Sequence, residues 1–434
     1  MAAKPGAEAG KPVYIVDGSR TPFLKINDRP GPFSAADLAV AAGRPLLSRQ
    51  PFDAADLDQI IVGNTAVAST AIDLARSIAL RLNCGHQVTG YTVQRGEGSG
   101  MQAVDTAARR IATGEADLIL AGGTDAMSHA PLQFDEGILR FYSEWQQRPG
   151  IADRLRLAMG FDPRWFRLRD PLKATPAQSD LDLKLGDSAE ALTETFAISR
   201  ARIDAYAIQS HQRAGAAVQS SDRPEREPIY SPDGRMFAED GCIRADASPA
   251  DFKALPPLYA AEVGRLTAGN SAPPADGAAW LLLASEQAVK THGLPVLGKL
   301  ADTCWVGLDP TMAGLGAAHA ATPILKRRRW DLNDVDYWEI NENFSSQVLA
   351  CLEAWQDKDY CREQLAKRDA VGELEMGRLN IEGGAIALGD PTAASGARLI
   401  LHLLHILQKQ QAKRGIATLA ISGGQGGAML LERP

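Results

Sequence analysis

The chain has 434 residues, 45% of them hydrophobic and 23% charged, with a formal net charge of −7. That length gives two or three domain-sized units with a sizeable core, and the composition excludes disordered and fibrous classes. The acidic balance offers no electrostatic reason to bind nucleic acid, and no apolar run approaches the length of a membrane-spanning helix.

The start, MAAKPGAEAGKP, lacks the apolar core of a secretory leader. Cys84, Cys242, Cys304, Cys351 and Cys361 form no CxxC pair, which fits free thiols in a reducing compartment, so a cytoplasmic location is expected. The first patterned stretch, Asp56–Asn64, is an acidic lead-in to a short apolar strand. Next comes VQRGEGSGMQA (Val93–Ala103), a glycine-rich bend that opens a helix. Met101, Val104, Ala108 and Ile111 share one helical face and Gly114 supplies a stop. The bend is not a dinucleotide fingerprint, because Met101 occupies the last glycine position, and it lacks the lysine of a phosphate loop. Nor is it an esterase elbow, since Glu97 stands two residues before Ser99. What it does hold is one carboxylate, Glu97, aimed at a helix amino end, where peptide N–H groups and the dipole favour negative charge. Leu118, Ile119 and Leu120 then read as a strand buried on both faces, as in a sheet covered by helices.

From Pro131 to Tyr259 the texture changes, with more arginine, proline and aromatic residues, and an inserted lobe is the simplest account. Within it Ile138–Asp170 interleaves arginines with Trp145, Trp165, Phe166 and leucines, a composition suited to a membrane surface or a partner protein, or to a solvated lid with a packed apolar face. Asp222–Gly241 reads as loop throughout.

The last third echoes the first. Asp334–Glu342 repeats the form of Asp56–Asn64, and Gly396–Gly424 repeats Met101–Gly123 as helix, turn, buried strand and paired glycines. Two similar α/β halves are implied. His402 and His405 lie three apart, but Leu403, Leu404 and Ile406 around them indicate packing, and no third metal ligand is in sight. Cys351, in SSQVLACLEAW, reads as a buried helix residue. No metal site is expected.

At this point the sequence resembles the thiolase superfamily, and within it the β-subunits (3-ketoacyl-CoA thiolases) of fatty-acid oxidation complexes. The matching stretches run nearly end to end: IVDGSRTPF, VQRGEGSGMQA, AGGTDAMSHAP, LGDSAEALTETFAISRARIDAYAIQSHQRA, LTAGNSAPPADGAA, EINENFSSQ, GGAIALGDPTAASGAR and ISGGQGGAMLLE. The resemblance implies a five-layered αβαβα fold of two related halves plus an inserted loop domain. The boundaries are residues 1–130 with 260–285, then 131–259, then 286–434. It also implies an acyl-CoA ligand without a covalently bound cofactor, at least a homodimer, and an α-subunit partner contacted through the arginine-rich insert, whose composition makes peripheral membrane contact a further option.

The resemblance places the family's nucleophilic cysteine at Glu97, its activating histidine at Asp390, and its proton-carrying second cysteine at Ala420; only Asn341 is retained. Acyl transfer needs a thiolate, a base that makes it and an acid/base for the substrate carbon, so the ordinary reaction is expected to be lost. The backbone N–H groups of Glu97 and Ser422 stand where an oxyanion hole would form. Two readings follow: an acyl-CoA-binding or complex-forming protein without turnover, or an enzyme using Glu97 as general base for α-proton abstraction or thioester hydrolysis. Glu97 and Asp390 are expected to face each other, so that one carboxyl pKa rises. For CoA, the resemblance points to Leu185–Gly186 and to Gly269, Asn270 and Ser271, with Ala272 where many relatives carry serine.

Overall fold

The computed structural model describes residues 10–434 apart from 28, 68–71, 132, 135, 167, 170–183, 220–223 and 260–262. Nine strands form the path of one large sheet: β1 (Val13–Arg20), β2 (Gln59–Gly63), β3 (Thr89–Val93), β4 (Leu118–Ala126), β5 (Ala275–Ser285), β6 (Gly298–Gly307), β7 (Tyr337–Ile340), β8 (Arg414–Ile421) and β9 (Gln425–Glu432). The order is β7-β8-β9-β6-β1-β5-β4-β2-β3, and the short Leu24–Lys25 segment pairs with β5.

The internal repeat is visible in this order. In the first half β2 runs parallel to β4, which pairs antiparallel with β5, which pairs antiparallel with β1. In the second, β7 runs parallel to β8, β8 antiparallel to β9, and β9 antiparallel to β6. The halves join through antiparallel β1 and β6 at Tyr14↔Lys299 and Ile15↔Gly298.

Six helices supply the layers: α1 (Ala35–Ser48), α2 (Leu74–Arg81), α3 (Ser99–Thr113), α4 (Gly316–Arg328), α5 (Ser345–Gln356) and α6 (Ser395–Lys409). Because strand side chains alternate, β4 sends Leu118 and Leu120 to one core and Ile119 and Ala121 to another. The first core lies under α1 and α2. The second holds α3 and α6 between β4–β5 and β8–β9, and the third lies under α4 and α5. The sequence of layers is therefore αβαβα, and α6, buried along nearly its whole length, is a central-layer helix rather than an amphipathic surface one.

The segment between β4 and β5 divides in two. Helices Leu185–Thr195 and Arg200–Gln219 send Leu192, Ile203 and Tyr206 into the core under α4 and α5. Helices Glu136–Gln147 and Ile151–Met159 contain no buried residue. The stretch read as loop throughout contains a small hairpin, Ile229–Tyr230 with Met236–Phe237, turned at Gly234. The Pro232-Asp233-Gly234 run between its strands is a turn signature. Two of its carboxylates are anchors: Asp240 accepts from Arg20 Nη1 and Nη2 at 2.7 and 2.9 Å, and Glu225 Oε1 lies 3.6 Å from Arg20 Nε.

Candidate active site

The crossing of the two central helices decides which residues meet. Gly100 of α3 lies against Ala397 and Gly396 of α6 lies against Met101, small residues that let the backbones approach near both amino ends. The turn before α3 and the segment before α6 therefore open into one cavity of about 340 Å³, whose walls include Glu97, Leu185, Tyr259, Asp390 and Ser422.

Glu97 sits one residue before the Gly98 cap of α3. The turn is fixed by Ser99, whose hydroxyl donates to the Gly96 carbonyl at 2.6 Å and accepts from the Arg95 N–H at 2.8 Å. The carboxylate reaches across to the other half, where Glu97 Oε2 accepts from the Ser422 N–H at 3.0 Å and Oε1 from the Ser422 hydroxyl at 2.6 Å. This differs from the expectation that the amides of α3 would hold it. A side chain ahead of the cap leaves the helix axis, and the nearest donors belong to the loop after β8. Both groups of Ser422 take part, its hydroxyl as well as its backbone. That loop needs glycine next, since Gly423 and Gly424 both have φ of 78°.

Asp390 follows Gly389, whose φ of 97° turns the chain into the cavity. It is buried, and both oxygens are occupied: Oδ1 accepts from Ser395 Oγ at 2.5 Å and Oδ2 from Asn343 Nδ2 at 2.9 Å. Burial pushes its carboxyl up to about 6; the Ser395 hydrogen bond opposes this, while the Glu97 charge adds to the rise. Glu97 and Asp390 thus share the cavity and interact through space, each with its own neutral donors.

Behind Asp390 runs a buried polar chain. Asn341, the first residue after β7, donates from Nδ2 to Asn343 Oδ1 at 3.0 Å and accepts at Oδ1 from Arg398 Nη2 at 3.3 Å. Arg398 also donates to Glu339 at 3.1 Å. Ala420, fully buried in β8, packs with Leu185, Ala313 and Phe344, an apolar spot beside the cavity. Glu97, Asp390, Ser422 and Leu185 therefore line the cavity, while Asn341 and Ala420 lie behind its wall.

The residues taken for the CoA channel separate. Leu185 lines the cavity, and from the loop it is Ala272 that does so. Asn270 spends its side chain inside the loop, accepting from the Thr267 N–H at 2.8 Å and donating to Asp204 at 2.8 Å and the Arg265 carbonyl at 3.0 Å. Gly269 is packed on Phe252 and Leu255, and Ser271 is buried with an unpartnered hydroxyl. These three shape the loop from beneath.

Sequence reading missed Ser395, Asn343 and Arg398. Ser395 and Asn343 stand five and 47 positions from Asp390; for Ser395 and Arg398 the polar residues of SGAR inside an otherwise apolar segment were the available signal, and Asn343, in the polar stretch EINENFSSQ, had none of that kind. His402 was read as apolar packing. It is buried, but Glu225 lies 3.4 Å from Nδ1, and Glu339 and Glu382 lie 3.9 and 3.8 Å from Nε2. Cys351 is a buried helix thiol, pushed up to about 12 by burial.

The family model "Thiolase, N-terminal domain" matches residues 13–287 and "Thiolase, C-terminal domain" matches residues 294–433. A 3-ketoacyl-CoA thiolase of Yersinia pestis is 34% identical over 428 residues, covering 98% of this chain and 97% of that protein. The crystal structure of human mitochondrial 3-ketoacyl-CoA thiolase superposes with a TM-score of 0.81 at 31% identity, covering 98% of this chain and 99% of the other. The same human enzyme in complex with CoA gives 0.80 at 30% identity, with 98% of each chain covered. An acetyl-CoA acetyltransferase of Bacillus anthracis gives 0.80 at 29% identity, covering 99% and 100%.

Proposed function

Because the chain belongs to the thiolase family, whose members are acyl-CoA acyltransferases, we propose that it binds an acyl-CoA thioester in the Glu97–Asp390 cavity without the cysteine-dependent transfer step. The observation that carries this reading is the double hydrogen bond from Ser422 to Glu97. A carboxylate stands where the resemblance puts the nucleophilic thiolate, and it occupies the very N–H that an oxyanion hole would use. Attack by a carboxylate would give a reactive anhydride, and Ala420 transfers no proton. The complex of the human relative with CoA supports CoA itself as the ligand. Calorimetric titration with CoA and acetoacetyl-CoA is expected to show binding, while thiolysis of acetoacetyl-CoA stays at background. Turnover at the rate of an ordinary thiolase overturns the reading.

One observation favours a second reading, in which the cavity performs base catalysis. Asp390, its carboxyl at about 6, is poised to exchange protons near neutral pH. Glu97 would then abstract an α-proton or activate water against the thioester, with Asp390 as the neighbouring carboxyl of the pair. In deuterated water this reading expects deuterium at the α-carbon or free acid by mass spectrometry, lost in Glu97→Gln while CoA binding persists. Neither product across several chain lengths eliminates it.

Quaternary structure belongs to the same proposal. Among the described residues β3 ends the sheet with its outer side unpaired, an edge on which a second copy could continue the ladder. All five cysteines are free thiols, which supports a reducing, cytoplasmic setting.

A further inference from the structure

The Glu97–Asp390 cavity is rich in acceptors and poor in positive charge. All four carboxyl oxygens take their hydrogen bonds from neutral groups: Glu97 from the N–H and hydroxyl of Ser422, Asp390 from Ser395 Oγ and Asn343 Nδ2. A carboxylate offers about four acceptor sites, so each keeps capacity for a further donor. At pH 7.5 Asp390, its carboxyl at about 6, is mainly ionised. Arg398, the cation of the buried chain behind it, donates to Glu339 and Asn341 instead, and the Asp125 charge adds to the negative field on Asp390.

The donors that would meet a second carbonyl at this end are already committed. Ser422 gives both of its donors to Glu97, and Asn341 gives Nδ2 to Asn343 behind the wall. Thr392 Oγ1 turns to Met127 Sδ at 3.8 Å. The other polar lining groups lie on the wall of helix Leu185–Thr195: Lys184 precedes that helix, and Tyr259 packs on Gly186 and on the Phe344 ring, centroids 6.1 Å apart. Burial pushes the Tyr259 hydroxyl up to about 12, so it keeps its proton and can donate. The cavity is therefore polarised, with donors on one wall and acceptors at the end formed by the segments before α3 and α6. A 3-oxo group at that end sets acceptor against acceptor. A primary amine, protonated at neutral pH, brings N–H donors and the missing positive charge.

We propose that the cavity selects acyl-CoA thioesters carrying an ammonium group on the acyl carbons next to the carbonyl, over the 3-ketoacyl thioesters named for its relatives. The position follows from Glu97, which stands where the resemblance puts the nucleophile that meets the acyl carbonyl. The inference rests on the acyl-CoA reading and adds the substrate class.

The test is calorimetric titration of the full-length chain at pH 7.5 with CoA, propionyl-CoA, 3-hydroxypropionyl-CoA, β-alanyl-CoA, butyryl-CoA and acetoacetyl-CoA. The three-carbon thioesters differ only at C3. β-Alanyl-CoA is expected to bind roughly tenfold tighter than propionyl-CoA, the gain typical of a hydrogen bond to a charged group, with the hydroxy compound between them. Acetoacetyl-CoA is expected to bind no tighter than butyryl-CoA. Glu97→Gln and Asp390→Asn, which keep side-chain size, are each expected to reduce the preference for the amine and, combined, to bring β-alanyl-CoA and propionyl-CoA to equal affinity. The ratios in the unaltered chain test the proposal without either variant, and titration with CoA reports whether a variant's cavity is intact. Equal affinities across the three-carbon series, or acetoacetyl-CoA tighter than β-alanyl-CoA, overturn the proposal and leave the acyl-CoA reading standing. A preference that survives the double variant reflects only the overall charge of −7 and overturns it too. No binding of CoA or of any thioester removes both.

Discussion

Asp390→Asn isolates the electrostatic cost of the cavity. In the folded chain the Asp390 carboxyl is raised from 3.8 to about 6, burial being the largest cause. A raised acid binds its proton more tightly when folded, so stability falls as pH rises from the unfolded value through about 6 and is flat above. The full penalty is about 3 kcal/mol above pH 7.5, at about 1.4 kcal/mol per unit. At pH 4.5 only about 1 kcal/mol of it has developed, because the unfolded carboxyl is by then mostly ionised and the folded one is not. Asparagine keeps the shape and removes the titration. Its Oδ1 can accept from Asn343 and its amide can donate to Ser395, whose hydroxyl rotates to accept. Urea unfolding of both proteins from pH 4.5 to 7.5 should therefore show the stability difference between the variant and the unaltered chain shifting in favour of asparagine by about 2 kcal/mol across the range. A difference that stays constant over this range would refute the claim that Asp390 is held against its charge.

Glu97→Gln removes the carboxylate that helps raise Asp390, so the pH midpoint of the Asp390-linked stability change should move down toward the ordinary carboxylate range; an unmoved midpoint means that burial acts alone. Arg398→Met leaves Glu339, which is buried and whose pKa is already raised by that burial, without its 3.1 Å partner. The expected loss is about 3–5 kcal/mol at pH 7, shrinking toward acid pH as Glu339 takes up a proton, and a loss below about 1 kcal/mol in urea unfolding would contradict the pairing.

The repeat was legible because it is written in short-range pattern. Asp56–Asn64 and Asp334–Glu342 contain β2 and β7, and the two helix–strand segments became α3–β4 and α6–β8. Glu97 and Asp390 were legible through the motifs around them, and their shared cavity follows from the crossing of α3 and α6. What pattern could not show is who satisfies whom. The Ser422 hydroxyl reaches Glu97 from 325 positions away, and Asn343 reaches Asp390 from 47. Such bonds are fixed by packing of the two halves and leave no periodic trace. His402 shows the same limit in reverse: leucines beside it in sequence point elsewhere in space, and carboxylates surround the imidazole.

The site's electrostatics also run opposite to those that activate a thiol. A nucleophilic cysteine needs a neighbour that becomes cationic as the thiolate forms, so that the two charges stabilise each other. Here both positions hold carboxyls, and the Asp390 carboxyl is raised chiefly by burial, with the Glu97 charge adding to the rise. The cavity persists because it rests on other contacts: Gly100 on Ala397, Gly396 on Met101, and the Asp125 carboxylate accepting from the Ala393 N–H at 2.8 Å. None of these involves residue 97, 390 or 420. The contacts that shape the cavity are therefore physically separable from residues 97, 390 and 420, so substitutions at those positions are expected to alter the electrostatics of the cavity without dismantling its walls.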